Sequence, residues 1–214
     1  MASDLRERLL TLPTSTIYET QNQLGDMDPI IKPVVRGHRL AGRAFTVKCF
    51  IGDYTAVVRA VDAANPGEVL VIDGGGSLHG TIMGGTTSRA AKKRGLAGMV
   101  TNAATRDVDE IAELGFPVFA AGVSVRGVQT THPGWLQIPI AVGGVPVHPG
   151  DWIVGDSDGV VVVPAEGAEE LFERAFKRKA EAERERDDRI ARGESLSSIK
   201  GLPPELMGVA GNKR

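Results

Sequence analysis

Apolar residues recur at helical spacing twice before residue 25. Leu5, Leu9 and Leu10 behind Ser3 predict a short capped helix that stops before Pro13, because proline disfavours helical backbone in the residue ahead of it. A second helix is expected from Ser15 towards Leu24, with Ile17 and Leu24 on one face, and Gly25-Asp26-Met27-Asp28-Pro29 marks the following loop. From Gly42 the pattern turns β-branched and aromatic through Phe45-Thr46-Val47, which predicts a strand. Tyr54 to Ala64 returns to helical spacing through Val57, Val58 and Val61, and Asn65-Pro66-Gly67 ends it.

Glu68 to Asp73 is a near-continuous apolar run that enters Gly74-Gly75-Gly76. It reads as a buried parallel strand with a glycine turn at its C-terminal end, where open α/β sheets place ligands. A helix from Gly84, a strand over Leu96 to Thr101, a helix over Val108 to Leu114 closed by Gly115, and a strand over Val118 to Ala121 follow. Strand alternating with helix is the signature of βαβ units. Beyond them, Gln137 to Val142, Val145 to Val147, Trp152 to Val154 and Val160 to Val163 are short β runs with no helix between, so antiparallel pairing is expected. From Glu166 to about Arg192 a long charged helix is predicted, with Leu171, Phe172, Ala175 and Phe176 as its apolar patch.

The expected architecture is one α/β domain over residues 1–192, with βαβ units in its first half, antiparallel strands in its second and a long C-terminal helix, followed by a loose tail over 193–214. The length of 214 residues suffices for a substantial core, and 27 glycines against 5% aromatic residues point to many tight turns. A formal charge of -2 offers no broad positive field, which argues against nucleic acid as a ligand. The single cysteine, Cys49, lies in an apolar run and reads as a buried, inert thiol. No apolar h-region opens the chain, and no apolar run reaches about 18 residues. A cytoplasmic protein without a membrane partner is expected.

The stretch from Gly84 to Asp107 carries the candidate chemistry. Gly84-Gly85-Thr86-Thr87-Ser88 places two glycines and a hydroxyl cluster at a helix start, and the strand after that helix ends on Arg106-Asp107. Free amides at a helix start suit an anion, a guanidinium clamps a carboxylate, and a carboxylate holds a divalent metal. Together they describe a pocket for a small oxo-acid. Asp107-x-x-Glu110 ahead of Ile111 and Leu114 also reads as a helix capping box, so Asp107 has two readings. Other chemistries lack their motifs: Gly74-Gly75-Gly76 is neither a phosphate-binding Walker loop nor a dinucleotide fingerprint, the four histidines have no zinc-ligand spacing, and no nucleophile-elbow serine is present.

Thr46-Val47-Lys48-Cys49-Phe50, the strand and turn from Val69 to Ser77, Arg106-Asp107, Pro149-Gly150-Asp151 and Asp156-x-Asp158-Gly159-Val160 together resemble the RraA-like family over roughly Thr16 to Gly193. That family contains a regulator of ribonuclease activity and the class II 4-hydroxy-4-methyl-2-oxoglutarate/4-carboxy-4-hydroxy-2-oxoadipate aldolases. The resemblance implies a layered αββα core with a central mixed sheet, assembled as homo-oligomers, trimers or hexamers, with sites between subunits. It also implies a metal-dependent lyase on a pyruvate-type 2-oxo acid, by aldol cleavage of a 4-hydroxy-2-oxo acid or decarboxylation of oxaloacetate, with Mg2+ or Mn2+ as cofactor. On this likeness Asp107 holds the metal, Arg106 binds substrate oxygens, and Gly84, Gly85, Thr86 and Thr87 receive the carboxylate. Glu183, or else Glu181 or Glu185, reaches a neighbouring subunit's site. One departure stands out: aldolase members carry an acid where this chain has Gly85, and Asp73 is the nearest replacement on a neighbouring strand. Two alternatives are a non-enzymatic regulator of an RNA-processing enzyme, suggested by Gly85 and the charged helix, and an aldolase-like enzyme for a sugar acid.

Overall fold

The computed structural model describes residues 2–203, including every side chain among them except those at positions 2–4 and 183. In chain order the elements are α1 (Ala2–Leu9), α2 (Thr14–Thr20), β1 (Lys32–Pro33), β2 (Leu40–Lys48), α3 (Thr55–Ala63), β3 (Glu68–Asp73), β4 (Thr81–Met83), α4 (Gly85–Lys93) and β5 (Gly98–Thr105). Then come α5 (Val108–Leu114), β6 (Val118–Val123), β7 (Trp135–Leu136), β8 (Ile140–Val142), β9 (Val145–Val147), β10 (Trp152–Asp156), β11 (Gly159–Val163), α6 (Ala168–Ala191) and α7 (Leu196–Ile199).

The central sheet runs β1-β6-β5-β3-β2-β10-β11 and is mixed, as expected. β2, β3, β5 and β6 are parallel neighbours, and β10 and β11 close one side antiparallel. Its two ends curl towards each other: Asp26 bridges to Val161, and Lys32 at the start of β1 donates to the carbonyl of Asp158 beside β11. β8 and β9 form a separate hairpin. β4 pairs with β5 through Thr81↔Ala104 and Met83↔Thr105, beyond the point at which β3 leaves β5 at Ile72↔Thr101. The glycine turn after β3 is thus an excursion that returns to the same edge.

Period-two alternation explains the layers. On β3, Val69 and Val71 join Leu40, Ala44, Val100, Phe119, Ile153, Val160 and Val162 inside the curled sheet, closed by Ile140, Val142 and Val147 of the hairpin. Leu70 and Ile72 face the other way and pack with Phe45, Val47, Met99 and Val118 against Val57, Val61, Ala91 and Ile111 of the helices α3 to α5. Further along that outer face, Ala41, Trp152, Val154, Val161 and Val163 meet Leu9, Leu12, Ile17, Phe172 and Ala175 of α1, α2 and α6. Each fully buried Val, Leu or Ile contributes roughly 1.5–3 kcal/mol. Because both faces of β3 are apolar, that term alone does not set its register. The polar ends do: Asp73 lies opposite Lys48 and accepts from it, and Asn102 Nδ2 donates to the same carboxylate at 3.0 Å. Burial opposes ionisation of Asp73, but Lys48, Asn102 and the Gly75 amide outweigh it and lower its pKa.

Three expectations are corrected at element ends. The second helix stops at Thr20 and Leu24 is exposed, because Asn22 and Gln23 take left-handed backbone with φ of 57° and 62°. The strand expected from Gln137 starts only at Ile140, since Gln137 is itself left-handed and turns its side chain to accept from the Thr46 amide. The tail holds one ordered turn, α7, where Ser195 caps Ser198 at 3.2 Å. The Ser3 cap lies outside the described side chains. No helix among the described residues is long and apolar enough to cross a membrane.

Buried carboxylates tie the turns. Asp156 accepts from the Thr14 amide at 2.9 Å, the Thr14 hydroxyl at 2.7 Å and the Asp158 amide at 3.0 Å, anchoring α2 to the β10–β11 turn. Asp53 joins two loops that meet above α3, accepting from the amides of Thr55 at 2.8 Å, Thr131 at 2.6 Å and His132 at 2.9 Å. Burial opposes its ionisation, yet these amides hold its carboxyl well below the usual range. Cys49, buried beneath the same loops, has its thiol pushed up to about 12, chiefly by burial and then by the charges of Asp73 and Asp53. It therefore stays protonated at neutral pH.

Two measurements check this account. Asp156→Ala strands three donors and is expected to lower the unfolding free energy in urea by about 3 kcal/mol. For Asp53 the folded pKa lies below the unfolded one, so its contribution is complete above about pH 4 and is lost as pH falls through the folded value. The stability gap between the native chain and Asp53→Asn should stay constant from about pH 7 to about pH 5 and shrink below about pH 4.

Candidate active site

β5 ends at Thr105, whose hydroxyl donates to the Met83 carbonyl at 3.2 Å and so ties the strand to β4. The next two residues leave the sheet where α4 begins. Asp107 is left-handed, with φ of 59° and ψ of 42°, a conformation few residues other than glycine adopt but which Asp and Asn tolerate. It stands at the N-cap of α5, yet its side chain makes no capping bond to that helix. Instead Oδ2 accepts from the Gly85 amide at 3.0 Å, and Arg106 Nε lies 3.5 Å from the same oxygen. The capping-box reading therefore fails in its reciprocal part: Asp107 serves the start of α4, across the gap from its own chain segment.

Both glycines leave space that neighbouring side chains occupy. A Cβ on Gly84 would lie 2.7 Å from Asp107 Oδ2 and 3.0 Å from Arg106 Cγ, so any side chain there displaces both functional groups. A Cβ on Gly85 would fall 2.1 Å from Glu110 Oε2. That carboxylate pairs with Arg89 and is not among the groups that line the cavity described next. Asp73 does not replace the acid absent from position 85, being engaged by Lys48 and Asn102 away from the cavity.

A cavity of about 450 Å³ opens at this point. Gly84, Thr86, Thr87, Arg106 and Asp107 line it, so the structure brings together five of the residues singled out from sequence; Gly85 sits just behind them, with its amide turned to Asp107. The amide of Ser88 is also used, by the Gly84 carbonyl at 2.9 Å. That leaves the first-turn amides of Thr86 and Thr87, which helix geometry deprives of an i−4 acceptor. Tyr54, Val58, Val61 and Asp62 of the α3 segment form the facing wall, with Ala90 of α4 and Val128 of the long loop after β6. Sequence patterning assigned Val58 and Val61 to a helix face but could not aim that face at a cavity. Gly127 and Val128 carried no signal at all, since they are brought in by long-range bonds: the clamp of Asp53, the Tyr54 amide to Gln129 at 3.1 Å, and the Thr81 amide and hydroxyl to the Arg126 carbonyl, each at 2.9 Å.

Glu183 lies on α6, and its side chain is outside the described residues. Glu181 and Glu185 pair with Lys177 and Arg189 along the helix, and among the described residues none of α6 lines this cavity. Among the described residues no three His, Cys, Asp or Glu side chains gather as a closed metal cage. The donor set fits a different kind of ion: one carboxylate, Asp107, beside room for water and substrate oxygens is how magnesium and manganese are commonly held, whereas zinc would demand more nitrogen or sulfur.

Comparison with known proteins agrees with this architecture. The family model described as "RraA-like: Aldolase/RraA" matches residues 14–162. A protein of Halalkalibacterium halodurans named "Putative 4-hydroxy-4-methyl-2-oxoglutarate aldolase" is 38% identical over 180 residues, covering 84% of this chain and 86% of that protein. Among solved structures, RraAS2 of Streptomyces coelicolor, an unusual member of the RNase ES inhibitor RraA family, superposes with a TM-score of 0.77 at 28% identity, covering 86% of this chain and 98% of the other. The RNA-processing inhibitor RraA of Thermus thermophilis gives 0.66 at 29% identity, over 71% and 92%. With the family model covering the whole sheet from α2 to β11 and the cavity in between, the chain belongs to the RraA-like family.

Proposed function

We propose that the protein is a divalent-metal-dependent lyase acting on a pyruvate-type 2-oxo acid. The observation that carries this reading is the meeting of Arg106, Asp107 and the α4 start at the mouth of one cavity. The aldolase name of the relative from Halalkalibacterium halodurans supports the reaction class. Aldol cleavage of a 4-hydroxy-2-oxo acid and decarboxylation of oxaloacetate both leave the enolate of pyruvate, so one site serves both. Asp107 would hold a magnesium or manganese ion, which would supply Lewis-acid stabilisation of that enolate.

The chain's own residues do the rest. The amides of Thr86 and Thr87 receive the substrate carboxylate, and Arg106 places a fixed positive charge beside the developing oxyanion. Tyr54 and Val128 close the cavity walls and limit water. In the cleavage direction the C4 hydroxyl gives up its proton and becomes a carbonyl as the C3–C4 bond breaks, the bond's electrons enter the enolate, and C3 is then protonated to give pyruvate. No histidine or lysine lines the cavity among the described residues, so the proton from the hydroxyl passes to water held beside Asp107. Exposed Ile51, Val123, Val125 and Trp135 support a homo-oligomer, trimer or hexamer, in which the α6 glutamates approach a neighbouring cavity. A second reading, a regulator that binds an RNA-processing enzyme, draws on the two RraA structures.

Asp107→Asn is the informative variant, because Asn tolerates left-handed backbone and keeps an oxygen for the Gly85 amide. Its stability should stay within about 1 kcal/mol of the native chain. Release of pyruvate from 2-oxo acids, followed by coupled lactate dehydrogenase with magnesium present, should fall by about a hundredfold or more. Unchanged turnover in this variant would remove Asp107 from the chemistry. Capture of a ribonuclease together with no metal-stimulated pyruvate release from any acid tried would favour the regulator. Sedimentation velocity is expected to give three or six copies, and a monomer at working concentration would refute the shared site.

A further inference from the structure

Between β6 and β7 the chain runs outside the sheet, and on the way it contributes Gly127 and Val128 to the cavity wall. It is fastened on either side of that pair. Before it, the Ser124 amide donates to the Thr105 carbonyl at 2.9 Å, and the amide and hydroxyl of Thr81 both donate to the Arg126 carbonyl at 2.9 Å. Beyond it, the Gln129 amide donates to the Gly52 carbonyl at 2.9 Å, and Asp53 Oδ2 accepts from the Thr131 amide at 2.6 Å, the Thr131 hydroxyl at 2.9 Å and the His132 amide at 2.9 Å. Apolar burial adds little. Val125 is 91% exposed, and Arg126, Gly127, Gln129, Thr131 and His132 are exposed as well. Val128 is half-buried and seated on Gly80, where a Cβ would collide with its Cγ1. The position of this segment is therefore set chiefly by hydrogen bonds to β4, β5 and the loop before α3.

What the segment meets is the guanidinium. A Cβ on Gly127 would lie 3.6 Å from Arg106 Nη1, so the bare backbone of Gly127 stands next to that end of the side chain. The ion pair to Asp107, 3.5 Å from Nε, engages the other end; among the described residues neither Nη atom has a hydrogen-bond acceptor, and the side chain is 47% exposed. A long, half-exposed arginine loses rotamer freedom when a ligand fixes it, and a wall that already restricts it lowers that cost. Its orientation matters most as an enolate forms, because a cation already in place stabilises developing negative charge without having to move.

We infer that residues 124–132 are a strap that pre-positions the Arg106 guanidinium, and that Asp53, which does not line the cavity, is a positioning residue acting through that strap. The inference rests on the proposal that Arg106 meets the oxyanion of a 2-oxo acid. It gives the Asp53 clamp a part in catalysis in addition to its part in stability. With the clamp released, the strap loosens and the guanidinium gains rotamers, so the enolate is stabilised less while the amides of Thr86 and Thr87 still hold the ground-state carboxylate.

Two probes separate these states: oxalate, planar and doubly charged like the enolate of pyruvate, and pyruvate itself, each titrated calorimetrically into the native assembly with magnesium present. Asp53→Ala should weaken oxalate by about tenfold or more and pyruvate by less than about threefold. Thr131→Val, at an exposed position, removes only the hydroxyl bond and should weaken oxalate by about threefold, and Thr131→Ser should restore it. In an Arg106→Lys background, where no Nη atom meets the strap, Asp53→Ala should change oxalate affinity by less than about twofold. Equal loss of both probes, an undiminished effect in the Arg106→Lys background, or Thr131→Ser as weak as Thr131→Val would overturn the strap while leaving the role of Arg106 intact. If Asp53→Ala fails to fold, the two Thr131 variants, alone and with Arg106→Lys, decide the outcome by the same criteria. An Arg106→Ala variant that binds oxalate as the native chain does, or a native chain that binds neither probe, would remove Arg106 from the proposed chemistry and the strap's role with it.

Discussion

A single hydrogen bond joins the parts of this site: the Asp107 carboxylate accepts from the Gly85 amide. It links the residues that follow β5 to the start of α4, adding to the pairing of β5 with β4 and the Thr105 bond to Met83. To make it, Asp107 adopts left-handed backbone, at a cost of about 1–2 kcal/mol, while a hydrogen bond to an ionised acceptor contributes about 1.5–3 kcal/mol. The two terms are close, so the arrangement holds because Gly84 removes the one side chain that would block it. Arg106 follows from the same geometry, since it lines the cavity beside its neighbour's carboxylate.

Exposure distinguishes this acid from the others. The side chain of Asp73 is 8% exposed and that of Asp156 9%, each surrounded by donors from its own chain, whereas Asp107 is 40% exposed and retains free lone pairs towards the cavity. Carboxylates of the first kind hold the curled sheet in register and fasten its turns. Only the second kind has coordination capacity left for a ligand. The same contrast applies to Asp53, whose carboxylate is fully engaged in fastening the loop that carries Val128 to the loop that carries Tyr54, and which acts on the cavity through those walls.

The family offers a frame in which the departures of this chain become informative. The space a side chain at position 85 would enter is occupied by the carboxylate of Glu110, which reaches it from α5 and is paired with Arg89.

Much of the architecture was legible along the chain. The apolar run of β3, the helical spacing of α3 and the capping glycine after α5 obey local rules, because a strand buried on both faces and a helix buried on one leave periodic traces wherever they occur. Arg106, Asp107 and the Gly84 loop could be singled out because adjacent charges after an apolar strand, and paired glycines at a helix start, are local features too. What only the folded chain decided is non-local. Neither the short strands β1, β4 and β7 nor the curl of the sheet can be read from two- or three-residue runs, because their stability comes from partners far along the chain. The same holds for the turn of Asp107 away from its own helix, the entry of Glu110 beside Gly85 and the arrival of Val128 opposite Ala90. Sequence determines which groups are available; which of them share a cavity depends on contacts between distant segments, whose energies appear only once the sheet has brought those segments together.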